Sequence, residues 1–90
     1  MDFEWDETKA RKNARKHNVS FVEATEVFGD DYSSCVSDPD HSQNEERFLL
    51  FGVCGKGRHL VVSFTEKENT IRIISARHMT PPERKAYEQR

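Results

Sequence analysis

Ninety residues, about a third of them charged and with a formal net charge of −2, leave room for one domain with one modest core. No apolar run approaches the roughly 20 residues of a membrane helix, and the start, MDFEWDETK, lacks the apolar stretch of a signal peptide, so the expected location is the cytoplasm. The two cysteines, Cys35 and Cys54, match no metal-binding spacing and read as strand residues.

The mean charge hides an asymmetry. Lys9, Arg11, Lys12, Arg15 and Lys16 form an early basic block, the segment from Glu23 to Glu46 carries acids without a single Lys or Arg, and basic residues lead again from Arg72. The acidic middle offers a surface to a basic partner, and the basic blocks offer one to nucleic acid.

Phe3 and Trp5 alternate with acids and suggest a short extended start. Asp6 is placed to cap a helix over residues 7–16, with Asn18 as its stop. On that helix Ala10, Asn13, Ala14 and His17 share one face, and Arg11, Lys12 and Arg15 occupy much of the other. Ser20 and Glu23 form a capping-box pattern behind Val19, which starts a second helix. Phe21, Ala24, Thr25 and Phe28 recur on its inner face, and Gly29 ends it. Residues 32–37 make a short, weak strand. The stretch DPDHSQNEE is a polar loop. Its Asp38, Asp40 and His41 read as surface residues, and no metal or other cofactor is expected.

Three stronger strands follow: 47–54, 58–65 and 70–77, joined by Gly55-Lys56-Gly57 and by a turn at 66–69. Such short links demand antiparallel neighbours. In the last strand Ile71, Ile73 and Ser75 alternate with Arg72, Ile74 and Ala76. Thr80, Pro81 and Glu83 then start a final helix by capping box and proline, and Tyr87 lies one turn beyond Glu83. The expected architecture is α+β: two N-terminal helices, an antiparallel meander of three to four strands, and a C-terminal helix, all one domain over residues 1–90.

The chemistry-bearing residues are arginines and histidines. Arg47 and Arg58 open strands, Arg72 sits within one, and Arg77 closes it. Singly, such arginines are usually solvated or paired with carboxylates; several on one face would clamp phosphate bidentately. Metal-free RNA cleavage needs a base for the 2′-OH, an acid for the leaving oxygen and cations for the developing charge. His17, His41, His59, His78, Glu83 and Tyr87 are the candidates for proton transfer. His17 ends a helix, where the dipole favours its protonated form.

The blocks FEWDETKARKNARKHNVSFVEATEVF, DPDH, EERFLLFG, GRHLVV and IRIISARHMTPPERKAYE, in that order, resemble the BrnT toxin family over nearly the whole chain. The resemblance implies a RelE-like fold and a bacterial type II toxin that cleaves RNA without a metal and arrests growth. It also implies a BrnA-like ribbon-helix-helix antitoxin, a hetero-oligomer with it, and operator DNA met only through it. Matching positions single out Arg47, Arg58, Arg72 and Arg77, then Lys9, Lys12 and His17, with Glu83 and Tyr87 on the final helix. The expected catalytic set is Arg72, Arg77, Arg47 and His17. Lys9, Lys12, Arg58 and Tyr87 are expected to contact RNA. The competing expectation is a non-catalytic RNA- or protein-binding module.

Overall fold

The computed structural model describes residues 1–41 and 45–89, with His41 described in its backbone alone. Its elements, in order, are β1 (Asp2–Glu4), α1 (Glu7–His17), α2 (Phe21–Val27), β2 (Ser34–Ser37), a single tight turn of helix (Pro39–His41), β3 (Phe48–Val53), β4 (His59–Lys67), β5 (Thr70–His78) and α3 (Pro81–Glu88). The loop histidine His41 therefore falls outside the described side chains, as do residues 42–44 of the polar loop.

The α+β class holds, but two parts of the expected architecture need correction. The five strands run in the order β1-β5-β4-β3-β2. β2 to β5 form the antiparallel meander, whereas β1 pairs with β5 in parallel, so the sheet is mixed. A strand therefore precedes the first two helices. Short connections predict antiparallel neighbours only between adjacent elements. β1 and β5 are joined through the whole chain, which leaves their direction free.

Local signals set most element ends. Asp6 accepts from Lys9 N at 3.0 Å, and Asn18 closes α1 in the left-handed conformation at φ 57°. Ser20 with Glu23, and Thr80 with Glu83, make complete capping boxes. Gly29 does not stop α2 by a left-handed turn; α2 ends at Val27 with Phe28 as cap in right-handed geometry, and Gly57, at φ 81°, is the one described glycine with positive φ. Gly57 completes the β3–β4 hairpin, its N–H donating to the Cys54 carbonyl at 2.9 Å.

One face of the sheet is packed. Val19 and the α2 residues Phe21, Ala24 and Val27 meet Leu50, Leu60, Val62, Phe64, Ile71, Ile73 and Ala76 there. Phe28 bridges Phe3 and Phe64 edge-on, at centroid distances of 5.2 and 5.0 Å. α3 contributes no buried residue to this core.

α1 is nearly apolar-free yet firmly placed, because Asn13 is buried. Its amide donates to the carbonyls of Val19 (3.0 Å) and Ala76 (2.8 Å) and accepts from Ala76 N at 3.1 Å. β1 covers β5 only as far as Arg72, and Ala76 lies beyond it. A side-chain amide thus satisfies strand groups that a sixth strand would otherwise pair.

Candidate RNA-facing site

A bulge in β5 decides which side chains share a face. Ser63 opposes Ser75, but Phe64 opposes Ile73, so Ile74 is an extra residue. The simple alternation expected across 71–76 is broken there: Ala76 turns inward with Ile71 and Ile73. Arg72 opposes Thr65, and Arg77 opposes Val61. Thr65 and Val61 are four positions apart, an even step, so Arg72 and Arg77 project from the same face despite their odd spacing, the face opposite the α2 core and carrying α3 near Arg77. Four strand residues separate them, or about 13 Å.

The four arginines divide by place. Arg47 directly precedes Phe48, which opposes Phe64, so it belongs to the Arg72 end of the sheet. Its carbonyl accepts from Asp38 N at 2.8 Å. Arg72 donates to Glu4 at 2.8 Å, and both side chains are about half exposed. Arg77 lies at the other end and Arg58 on the opposite, packed face. They do not form one four-armed clamp.

At the Arg77 end each group is held by another. The Arg77 guanidinium donates to both oxygens of Glu83, at 2.8 and 3.0 Å, and also to the His78 carbonyl at 3.1 Å. Glu83 is itself fixed, because its Oε1 accepts from Thr80 N at 2.8 Å. The hydrogen bonds from Arg77 outweigh burial and hold the Glu83 carboxyl down at about 2. Glu83 therefore serves both the capping box and the arginine.

Behind it, Arg58 donates to Glu23 (2.6 Å), to the Asn18 carbonyl (2.6 Å) and to His78 Nε2 (2.8 Å). An arginine has no acceptor, so Nε2 accepts and the proton of a neutral His78 sits on Nδ1. Glu23 keeps a lowered pKa: burial pushes it up, but the bonds from Ser20 N–H and Arg58 bring it down. Arg58 is thus a clamp joining the end of α1, the start of α2 and β5, rather than an open cationic arm.

His17 stands at this junction. Burial lowers its pKa, and Lys16, Arg77 and His78 lower it further by charge repulsion. This shift runs opposite to the one the helix dipole favours. The dipole acts weakly at a solvated helix end, whereas desolvation and nearby cations act directly. Lys9 and Lys12 lie on exposed positions further back along α1. Tyr87 lies on α3 over the β2–β3 side. Its hydroxyl donates to Asp30 at 2.5 Å, and its ring meets His59 edge-on at 5.6 Å. Asp30 also accepts from Val53 N at 2.9 Å. Gly52 lets this loop close in: a Cβ there would come within 2.8 Å of Val27 and 3.0 Å of Asp30.

Sequence reasoning identified Arg77, Glu83, His17 and His78 one by one, but not Glu23 as the carboxylate of Arg58 or Asp30 as the partner of Tyr87. Those pairs span 35 and 57 residues, and no local signal links them. Among the described residues no group of three or more His, Cys, Asp and Glu side chains is placed to hold a metal ion.

This small mixed sheet, with the α2 core on one face and α3 beside Arg77 on the other, has a solved relative. The chain is similar to the Brucella abortus ribonuclease toxin, BrnT, solved at 1.1 Å, with a TM-score of 0.65 over 89% of this chain and 97% of that one. At 22% identity the likeness is one of fold. Residues 5–83 match the family described as ribonuclease toxin, BrnT, of type II toxin-antitoxin system, and the chain belongs to that family. It is a toxin of that class, and a type II system implies an antitoxin partner. No curated protein matches the chain in sequence. No described helix is long and apolar enough to cross a membrane.

Proposed function

We propose that residues 1–90 act as one cytoplasmic endoribonuclease domain that cleaves RNA by attack of a 2′-OH on the adjacent phosphate, without a metal, and thereby arrests growth. His17, neutral at the pH of the cell, takes the 2′-OH proton. Arg77, oriented by Glu83, holds the phosphate and offsets the charge that develops on its oxygens. The leaving 5′-oxygen takes its proton from solvent water at the open site, while His78 holds the Arg58 guanidinium through Nε2. The products are a 2′,3′-cyclic phosphate and a free 5′-OH. Arg72 and Arg47, about 13 Å along the same face, bind neighbouring phosphates of an extended strand, and Lys9 and Lys12 add to the same electrostatic track. Arg58 contributes by positioning the end of α1 and His78. Tyr87 keeps α3, and so Glu83, in place. A BrnA-like ribbon-helix-helix antitoxin neutralises the toxin as a hetero-oligomer and supplies the contacts to operator DNA.

The observation that carries this reading is the junction itself: an imidazole whose pKa is lowered in part by the charge of a carboxylate-oriented arginine, in a family of ribonuclease toxins. The test is incubation of antitoxin-free protein with a defined RNA in EDTA, with Arg77→Ala as control. Cleavage by the wild type alone supports the mechanism; equal cleavage by both removes Arg77 from it.

One observation favours a second reading. Both terminal nitrogens of Arg77 are already engaged by Glu83, so an incoming phosphate competes with a carboxylate. In a non-catalytic module the same face would hold RNA weakly and leave it intact. Steeply salt-dependent binding with no product, also in the presence of translating ribosomes, would favour that reading.

A further inference from the structure

The edge of the sheet farthest from the arginines of β5 is unguarded. β2, with the sequence Ser34-Cys35-Val36-Ser37, is the last strand of the sheet, and among the described residues no strand pairs with its outer side. Natural edge strands are usually protected by lysine, proline or a bulge. β2 has none of these: its register with β3 is regular, and its four residues are small or apolar. Val36 is 46% exposed.

Beside this edge lies a cavity of about 250 Å³ between the sheet and α3, lined by Ser34, Val36, Phe51, Glu83, Ala86 and Tyr87. Ser34 and Val36 alternate along the strand and both line it, so an added strand would direct every second side chain at the same hollow. The surroundings are acidic. Between Lys16 and Arg47 the chain has no Lys or Arg, and Asp31, Asp38 and Asp40 stand on exposed or half-exposed positions at either end of β2. Glu88, with Asp31, Tyr32 and Tyr87, lines the adjoining cleft.

We propose that β2 is a docking edge for an extended, basic segment of the antitoxin, which adds as a sixth strand. Main-chain hydrogen bonds to β2 supply affinity, and apolar side chains at alternate positions fill the hollow over Val36 and Phe51. Lysines or arginines between and beyond them meet Asp31 and Asp40, which favours fast encounter and excludes acidic segments. The site also has a route to the catalytic arginine. Glu83 lines the hollow and grips Arg77, so a bound strand bears on the residue that orients the arginine. The proposal rests on the reading of this chain as a toxin with a protein antitoxin.

The test uses the toxin co-expressed with the antitoxin of its own operon, and separately a synthetic twelve-residue peptide alternating lysine with valine or leucine, against its glutamate counterpart. Hydrogen exchange should show new protection of amides in Ser34–Ser37 in the complex and with the lysine peptide. Val36→Lys, a tolerated change at an exposed edge position, should weaken both interactions at least tenfold while the melt and RNA cleavage of the free toxin stay as in the wild type. Arg72→Ala should leave peptide binding unchanged. The proposal is overturned if β2 exchanges at its free rate in the complex, if Val36→Lys is neutralised as well as the wild type, or if the glutamate peptide binds equally. Failure of the wild-type toxin to arrest growth or cleave RNA would refute the functional reading alone, because the peptide experiment still reports on the edge.

Discussion

Arg72 and Arg77 leave the same face of the same strand, yet their surroundings differ in kind. Arg72 meets one flexible, half-exposed carboxylate, Glu4, at the sheet margin. Arg77 meets a carboxylate whose own position is fixed by a capping box, through two parallel bonds. An exposed ion pair of the first type contributes little and rearranges easily. The second is a preoriented fork, which loses less freedom when it engages an anion. The difference assigns the two arginines unequal work on one face: chemistry at Arg77, and grip on the chain at Arg72.

That contrast can be broken most directly at Arg77. Arg77→Ala should reduce RNA cleavage by about 10²–10³-fold and abolish growth arrest, with far-ultraviolet circular dichroism unchanged. His17→Gln should follow, with a loss of about 10²-fold. In the wild type the depressed pKa keeps the imidazole neutral at pH values where a free histidine is already charged. Cleavage should therefore persist as pH falls through 6.5, the ordinary value, and decline only at lower pH. Lys16→Gln removes one of the charges that depress it, and should move this acid limb to higher pH.

Stability separates the two ends as well. Asn13→Ala leaves the N–H and carbonyl of Ala76, and the carbonyl of Val19, without their buried partner. It should cost about 2–3 kcal/mol, a fall in melting temperature on the order of 10 °C, and should loosen the Arg77 end while Arg72 keeps its strand. Arg72→Ala should lower cleavage only about tenfold or less, mainly through KM and a shallower salt dependence, as expected for a contact to a neighbouring phosphate. Equal losses at Arg72 and Arg77 would erase the proposed division.

The smallest effect concerns the carboxylate itself. Glu83 has a folded-state pKa of about 2, below its ordinary 4.5. The stabilisation it gives is complete above about pH 4.5 and is lost as pH falls toward 2, because the unfolded chain takes up the proton first. Glu83→Gln should flatten the melting temperature across that window and weaken the hold of α3 on the sheet. It should lower cleavage less than Arg77→Ala does, since the arginine remains.

Much of this protein was legible in local sequence. Asp6, Asn18, Ser20 with Glu23, and Thr80 with Glu83 mark helix ends, because capping bonds join residues three or four apart. The hairpin at Gly55–Gly57 and the meander follow from short connections. The family, too, was readable from blocks distributed along the chain. Tertiary structure alone decided the rest. β1 joins β5 in parallel across a separation that no turn constrains, and Ile74 bulges out because two strands of fixed hydrophobic register must match. That single extra residue puts Arg72 and Arg77 on one face. Arg58 finds Glu23, Tyr87 finds Asp30 and Asn13 finds Ala76 over 35, 57 and 63 residues, since only packing brings such groups together. The same packing desolvates His17 within the field of Arg77 and His78, and so lowers its pKa against the shift that its place at a helix end suggests.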